Sequence, residues 1–109
     1  MTLAVGRGAH TWLTSVLRPA GTLDASAAGR LTEVLTTIAA SSDMVVVDLT
    51  ATRVPAPRRL ATALRAPAQQ LAGPGRCLLL VGAGADLVAE LDRAAVPAVC
   101  TETSGSFAV

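Results

Sequence analysis

Two short, uniformly apolar runs constrain this chain more than any other feature: Met44-Val45-Val46-Val47-Asp48-Leu49 and Cys77-Leu78-Leu79-Leu80-Val81. Neither alternates with polar residues, so neither has a wet face. Each is strand-sized, and parallel strands covered on both sides read this way. Helical periods separate them from each other and from the termini. Leu31, Val34, Leu35 and Ile38 fall at i, i+3, i+4 and i+7 and make one apolar stripe. Leu60, Leu64, Ala68 and Leu71 mark a second helix after the Pro55-Ala56-Pro57 loop, closed by Gly73-Pro74-Gly75. A third follows Gly82-Ala83-Gly84-Ala85, with Asp86 as its expected cap and Leu87, Val88 and Leu91 inward.

At the N-terminal end, Leu3-Ala4-Val5, the turn signal Gly6-Arg7-Gly8 and the β-favouring stretch Thr11 to Leu17 predict a hairpin. Val96 to Cys100 is a last short strand, and residues 101–109 read as a tail. The order β-β-α-β-α-β-α-β predicts an α/β fold. Its expected form is a mixed, mainly parallel sheet of about five strands with an N-terminal hairpin and about three crossover helices. A single domain over residues 1–100 is expected. Asp24 is placed to cap the first helix and Pro57 to open the second. Pro67 removes a backbone donor and crowds the carbonyl four residues back, so a kink or split is expected there.

The 109 residues suffice for one core, and 51% hydrophobic against 16% charged excludes a disordered chain. All nine basic residues are Arg, the net charge is +1, and Arg58-Arg59 is the only basic pair. No face wide enough for nucleic acid is implied. No apolar run reaches the length of a membrane span and no signal peptide is evident, so a cytoplasmic protein without membrane insertion is expected. Cys77, Cys100 and His10 cannot build a metal cage. Both cysteines read as small buried hydrophobes, open to a disulfide only if their strands are neighbours. Trp12 reads as core or edge packing.

Gly82-Ala83-Gly84-Ala85-Asp86, with Glu102 about twenty residues on, echoes the dinucleotide fingerprint, but Leu87 stands where the third Gly belongs. A tight strand-to-helix turn is the simpler reading. Asp48 is the best-placed carboxylate, at the C-terminal end of a strand, yet no His, Cys or Lys lies near it in sequence. Its expected task is to bond loop N–H groups. Asp86, Glu90 and Asp92 read as a cap and a solvated helix face. No nucleophile, base and orienting group assemble, so no enzyme and no cofactor are expected. Arg58 and Arg59 begin a helix, where cations oppose the dipole. They are either solvated arginines tolerated at an exposed end or a contact pair for an acidic partner.

Three segments in this order and spacing resemble the STAS domain, the fold of anti-sigma factor antagonists and of the cytoplasmic tail of sulfate transporters. Gly21-Thr22-Leu23-Asp24-Ala25 looks like the family's lead-in to its first helix. Val45-Val46-Val47-Asp48-Leu49-Thr50 looks like its apolar strand ending in Asp-Leu-Ser. Cys77 to Gly82 with the following Leu-rich helix looks like its penultimate strand–helix unit. The resemblance runs from about Leu3 to Cys100.

It implies a protein-interaction module, with a homodimer allowed. Antagonists of this family carry Asp-Ser-Ser-Gly or a close variant at the start of the second helix, where a partner kinase phosphorylates a hydroxyl. Counting on from Asp48-Leu49, that motif falls on Ala56-Pro57-Arg58-Arg59, so Arg58 stands at the acceptor position and the switch is expected to be absent. Thr50 and Thr52 keep hydroxyls nearby but precede the loop. The implied partner is an anti-sigma factor or another histidine-kinase-type ATPase protein, and the implied contact set is Asp48, Thr50, Thr52, Arg53, Arg58 and Arg59. A STAS subunit of an ABC-type transporter and a small-ligand or nucleotide sensor stand as alternatives.

Overall fold

The computed structural model describes residues 2–5 and 13–101. The hairpin turn at residues 6–8, His10, Trp12, Glu102 and the rest of the expected tail lie outside the described residues. Five strands form the main sheet: β1 (Thr2–Val5), β2 (Leu13–Leu17), β4 (Met44–Asp48), β6 (Cys77–Val81) and β7 (Val99–Thr101), side by side in that order. β1 pairs antiparallel with β2, and the other three pairings are parallel. The connections run through α1 (Ala25–Ala39), α2 (Pro57–Gln70) and α3 (Ala85–Arg93). The mixed, mainly parallel α/β sheet expected from the sequence is therefore present. β7 starts later than expected and includes Thr101, whose carbonyl accepts from the Gly82 N–H at 2.9 Å. A second, two-stranded parallel sheet has no sequence counterpart: β3 (Gly21–Thr22) pairs with β5 (Thr52–Arg53).

Alternation along the strands divides the interior. Val45, Val47, Leu78 and Leu80 point to one face and join Leu31 and Leu35 of α1, Leu60 and Leu64 of α2, and Leu87 and Leu91 of α3. Val46, Leu79 and Val81 cluster on the other face with Val16, Met44 and Cys77 against them, and no described helix contributes there. Both faces of the central strands are buried, as their uniform composition requires.

Helix starts follow two expectations and correct a third. Asp24 caps α1 by accepting from the Ala27 N–H at 2.9 Å, and Pro57 occupies the first turn of α2. Asp86 is not a cap: Gly84 is the N-cap of α3, and Asp86 lies inside the first turn, where its charge suits the dipole. Val34 of the expected core stripe is 41% exposed, so the inward line of α1 is Ala28, Leu31, Leu35 and Ala39.

Pro67 does not split α2, which continues as one helix to Gln70. The carbonyl that Pro67 leaves without its helical donor is that of Ala63. The Thr32 hydroxyl of α1 lies 3.1 Å from that oxygen and 2.9 Å from the Ala28 carbonyl of its own helix, so one hydrogen serves both. The neighbouring helix thus supplies the bond that the proline removes. At the C-terminal ends of both helices, Arg76 donates to the Gln70, Ala39 and Ser42 carbonyls and ties the last turns of α1 and α2 together.

Thr32→Val keeps the shape and removes the donor. It should cost about 1 kcal/mol in urea unfolding. In a Pro67→Ala background, where residue 67 can donate to Ala63 itself, the same change should cost clearly less. Equal cost in both backgrounds would remove Thr32 from this role.

Candidate functional site

The C-terminal ends of the parallel strands, with the helix starts above them, form the edge where sheets of this type carry their sites. β4 ends in Asp48. Its Oδ1 accepts from the Thr50 N–H at 3.0 Å and from the Thr50 hydroxyl at 2.6 Å, while Arg18 Nε approaches Oδ2 at 3.8 Å. The Thr50 hydroxyl, then its N–H, and more weakly Arg18 hold the Asp48 carboxyl below its ordinary pKa against an opposing desolvation effect. Asp48 therefore holds the turn, as its sequence position suggests.

The pairing continues one residue past the strand, because the Leu49 N–H donates to the Val81 carbonyl at 2.8 Å. The Leu49 carbonyl then accepts from both the Thr52 N–H, at 3.0 Å, and the Thr52 hydroxyl, at 2.7 Å. This turn brings Thr50 onto Gly82. A Cβ on Gly82 would lie 2.5 Å from Thr50 Cγ2 and 3.1 Å from its backbone nitrogen, and Gly82 has φ +73°. Space and backbone both demand glycine here. The glycine-rich strand end thus serves close packing against the neighbouring loop.

Arg53 is exposed on β5, which hydrogen-bonds to β3, so the loop is fastened to the start of α1; the Leu23 N–H donates to the Arg53 carbonyl at 2.8 Å. Arg58 and Arg59 are exposed in the first turn of α2, whose N-cap, Ala56, offers no side-chain bond. Arg58 is not a lone cation. Its Nε lies 3.6 Å from Glu90 Oε2, and Arg93 Nη1 lies 3.1 Å from Glu90 Oε1. Glu90, with a side chain only 19% exposed, is correspondingly no solvated face residue. Arg53 and Arg59 make no ion pair among the described residues.

Of the six expected contact residues, Asp48, Thr50 and Thr52 thus form one bonded turn, and Arg53, Arg58 and Arg59 follow it along the same edge. The sequence reading missed Arg18 and Glu90, the charges that pair with this set. Glu90 had a visible signal, its i, i+3 spacing to Arg93; Arg18 had none. Between the turn and α3 lies a cavity of about 330 Å³ lined by Leu49, Thr52, Val54, Pro57, Gly82 and the first residues of α3.

Among the described residues no group of three or more His, Cys, Asp or Glu side chains is placed to hold a metal, and no helix is long and apolar enough to cross a membrane. Cys77 and Cys100 are half-buried free thiols on neighbouring strands, with burial raising the pKa of both. Cys100 stands opposite Leu80, three positions from Cys77, which puts the two side chains on opposite faces and excludes a bond between them. No family model and no curated protein matches this chain.

Two outcomes test the turn. Gly82→Ala should destabilise the protein by about 2 kcal/mol or more in denaturant unfolding, from the clash with Thr50 and the positive φ together. A neutral result would show that the loop can move off the strand end. Asp48→Asn addresses the charge. A carboxyl whose pKa is lowered by folding adds stability above its unfolded value and loses that contribution as the pH falls through its folded value. The variant should be roughly 1 kcal/mol less stable than the parent at pH 7. The gap should close as the pH drops below the ordinary carboxylate value of about 4.

Proposed function

We propose that this chain is a non-catalytic, cytoplasmic interaction module of the STAS type, resembling an anti-sigma factor antagonist. In this reading it docks on an anti-sigma factor, or another protein with a histidine-kinase-type ATPase domain, through the edge from Asp48 to Arg59. The observation that carries it is the start of α2. The position that the resemblance assigns to the acceptor hydroxyl holds Arg58, exposed beside the loop and paired with Glu90. Residues 53–59 contain no hydroxyl at all. The flanking hydroxyls are all engaged: Thr50 and Thr52 inside the turn, as donors to Asp48 and to the Leu49 carbonyl, and Thr62 as a donor to the Arg58 carbonyl at 3.0 Å.

The charge at this edge is thus permanent. A phosphate would place roughly −1.5 to −2 charges at the helix start; arginine keeps +1 at every physiological pH. An antagonist built this way stays in one docking state.

Arg59 is the informative probe, because reversing Arg58 would also press a second carboxylate against Glu90. Arg59→Glu should weaken binding to a purified anti-sigma factor of the ATPase class by about 1 kcal/mol, a factor of roughly five, in isothermal titration. Unchanged affinity would move the interface elsewhere. Incubation of that complex with ATP should leave the intact mass of this chain unaltered. One phosphate mapped to Thr50 or Thr52 would overturn the fixed-state reading.

A further inference from the structure

One face of the main sheet is closed although no described helix lies on it. Val46, Leu79 and Val81 point away from α1, α2 and α3, yet they are only 3%, 6% and 0% exposed. Side chains on a bare sheet face stay in contact with water, so this burial requires a covering segment. The register places Thr101 beside Val81 on the same face, and the Thr101 hydroxyl is buried without a hydrogen-bond partner.

The cover has a direction. Val99 lies two residues before Thr101 on the same face of the edge strand and is 54% exposed. Met44 and Cys77, at the starts of β4 and β6, are half-buried, as is Val16 on β2. Closure is thus greatest from Thr101 across Val81 and Leu79 to Val46, and the outer side of β7 is left open.

Residues 6–12 join Val5 to Leu13, which pair with each other at the opposite end of the sheet. Residues 102–109 follow Thr101 directly, at the end where closure is greatest. Their composition suits a reversal: Thr103-Ser104-Gly105-Ser106 is a turn signal, and Phe107-Ala108-Val109 is apolar. The six residues from Thr101 to Phe107 can span up to roughly 20 Å, whereas Val46 lies two strands across, roughly 10 Å away. Half of that reach remains for the turn.

We propose that residues 102–109 fold back across this face as a strap, with Phe107 seated over Val81, Leu79 and Val46. The first residues of the strap bring backbone carbonyls to the Thr101 hydroxyl. A single aromatic ring anchors it. The helices pack on the other face, so releasing the strap bares an apolar sheet surface and leaves them in place.

Phe107 is the only Phe in the chain, so its ring signals in the NMR spectrum of the full chain are unambiguous. Nuclear Overhauser contacts from that ring should reach the methyl groups of Val46, Leu79 and Val81. Phe107→Ala should lower the melting temperature by about 10 °C or more. It should also raise the fluorescence of an added naphthalene-sulfonate dye several-fold while the far-UV circular dichroism stays at the parent value. Phe107→Leu should recover most of the loss. Ring contacts confined to other residues overturn the proposal, as do contacts from Trp12 to those methyl groups in place of Phe107. A melting temperature for Phe107→Ala within about 2 °C of the parent overturns it too. Should that variant fail to fold, the contacts measured in the parent decide alone. These readouts need no partner protein and alter no residue at the sheet edge, so their failure is separate from any failure there.

Discussion

The contact between Thr50 and Gly82 governs what this molecule can present at the C-terminal edge of its sheet. β4 and β6 run in parallel to their ends at Asp48 and Val81, and parallel strands leave there with no tight turn between them. The chain nonetheless keeps close order beyond that point. The Leu49 amide extends the ladder, Asp48 and the Leu49 carbonyl absorb the donors of Thr50 and Thr52, and Gly82 lets the turn settle on the adjacent strand end. β5 then pairs with β3 before α2 begins. The loop is therefore fixed before any partner arrives, and a preordered surface avoids much of the entropy that binding would otherwise cost.

The two ends of the sheet are chemically unlike. At the N-terminal end of the parallel strands, polar groups are spent on closure. Arg76 gathers carbonyls from the last turns of α1 and α2, the Ser15 and Ser42 hydroxyls bond each other at 2.9 Å in the interior, and Asp43 receives the Leu13 amide at 3.0 Å. At the C-terminal end, Arg53 and Arg59 stay exposed and unpaired among the described residues. Side-chain closure dominates the first end, while the second combines the bonded turn at Asp48 with two exposed, unpaired arginines, and the docking surface proposed above uses that edge.

Much of this was legible in the residues, for reasons that also explain what was not. The strands showed because both faces are buried, which leaves Val45 to Val47 and Leu78 to Val81 without polar breaks. The cap at Asp24 showed because a carboxylate before an Ala-rich period has one good use. Three features depended on tertiary partners and left no local trace. Pro67 reads as a helix breaker until Thr32 of another helix lies beside Ala63. Arg58 reads as a misplaced cation until α3 brings Glu90 to it. The β3–β5 pairing joins two-residue strands too short for any periodicity to reveal. The end of α3 carries no glycine: Ala95 takes φ +54° in a position where glycine is the usual signal.

The ion pair at Arg58 bears directly on why a fixed charge can persist at such a position. A cation in the first helical turn loses about 0.3–1 kcal/mol to the dipole. A surface ion pair returns a similar amount, between roughly 0 and 1 kcal/mol. The two nearly cancel, so arginine at position 58 is close to neutral for folding and its effect is left to the surface it shapes. In the interaction reading, this edge then has no covalent means of changing its charge, and occupancy is set by concentration alone.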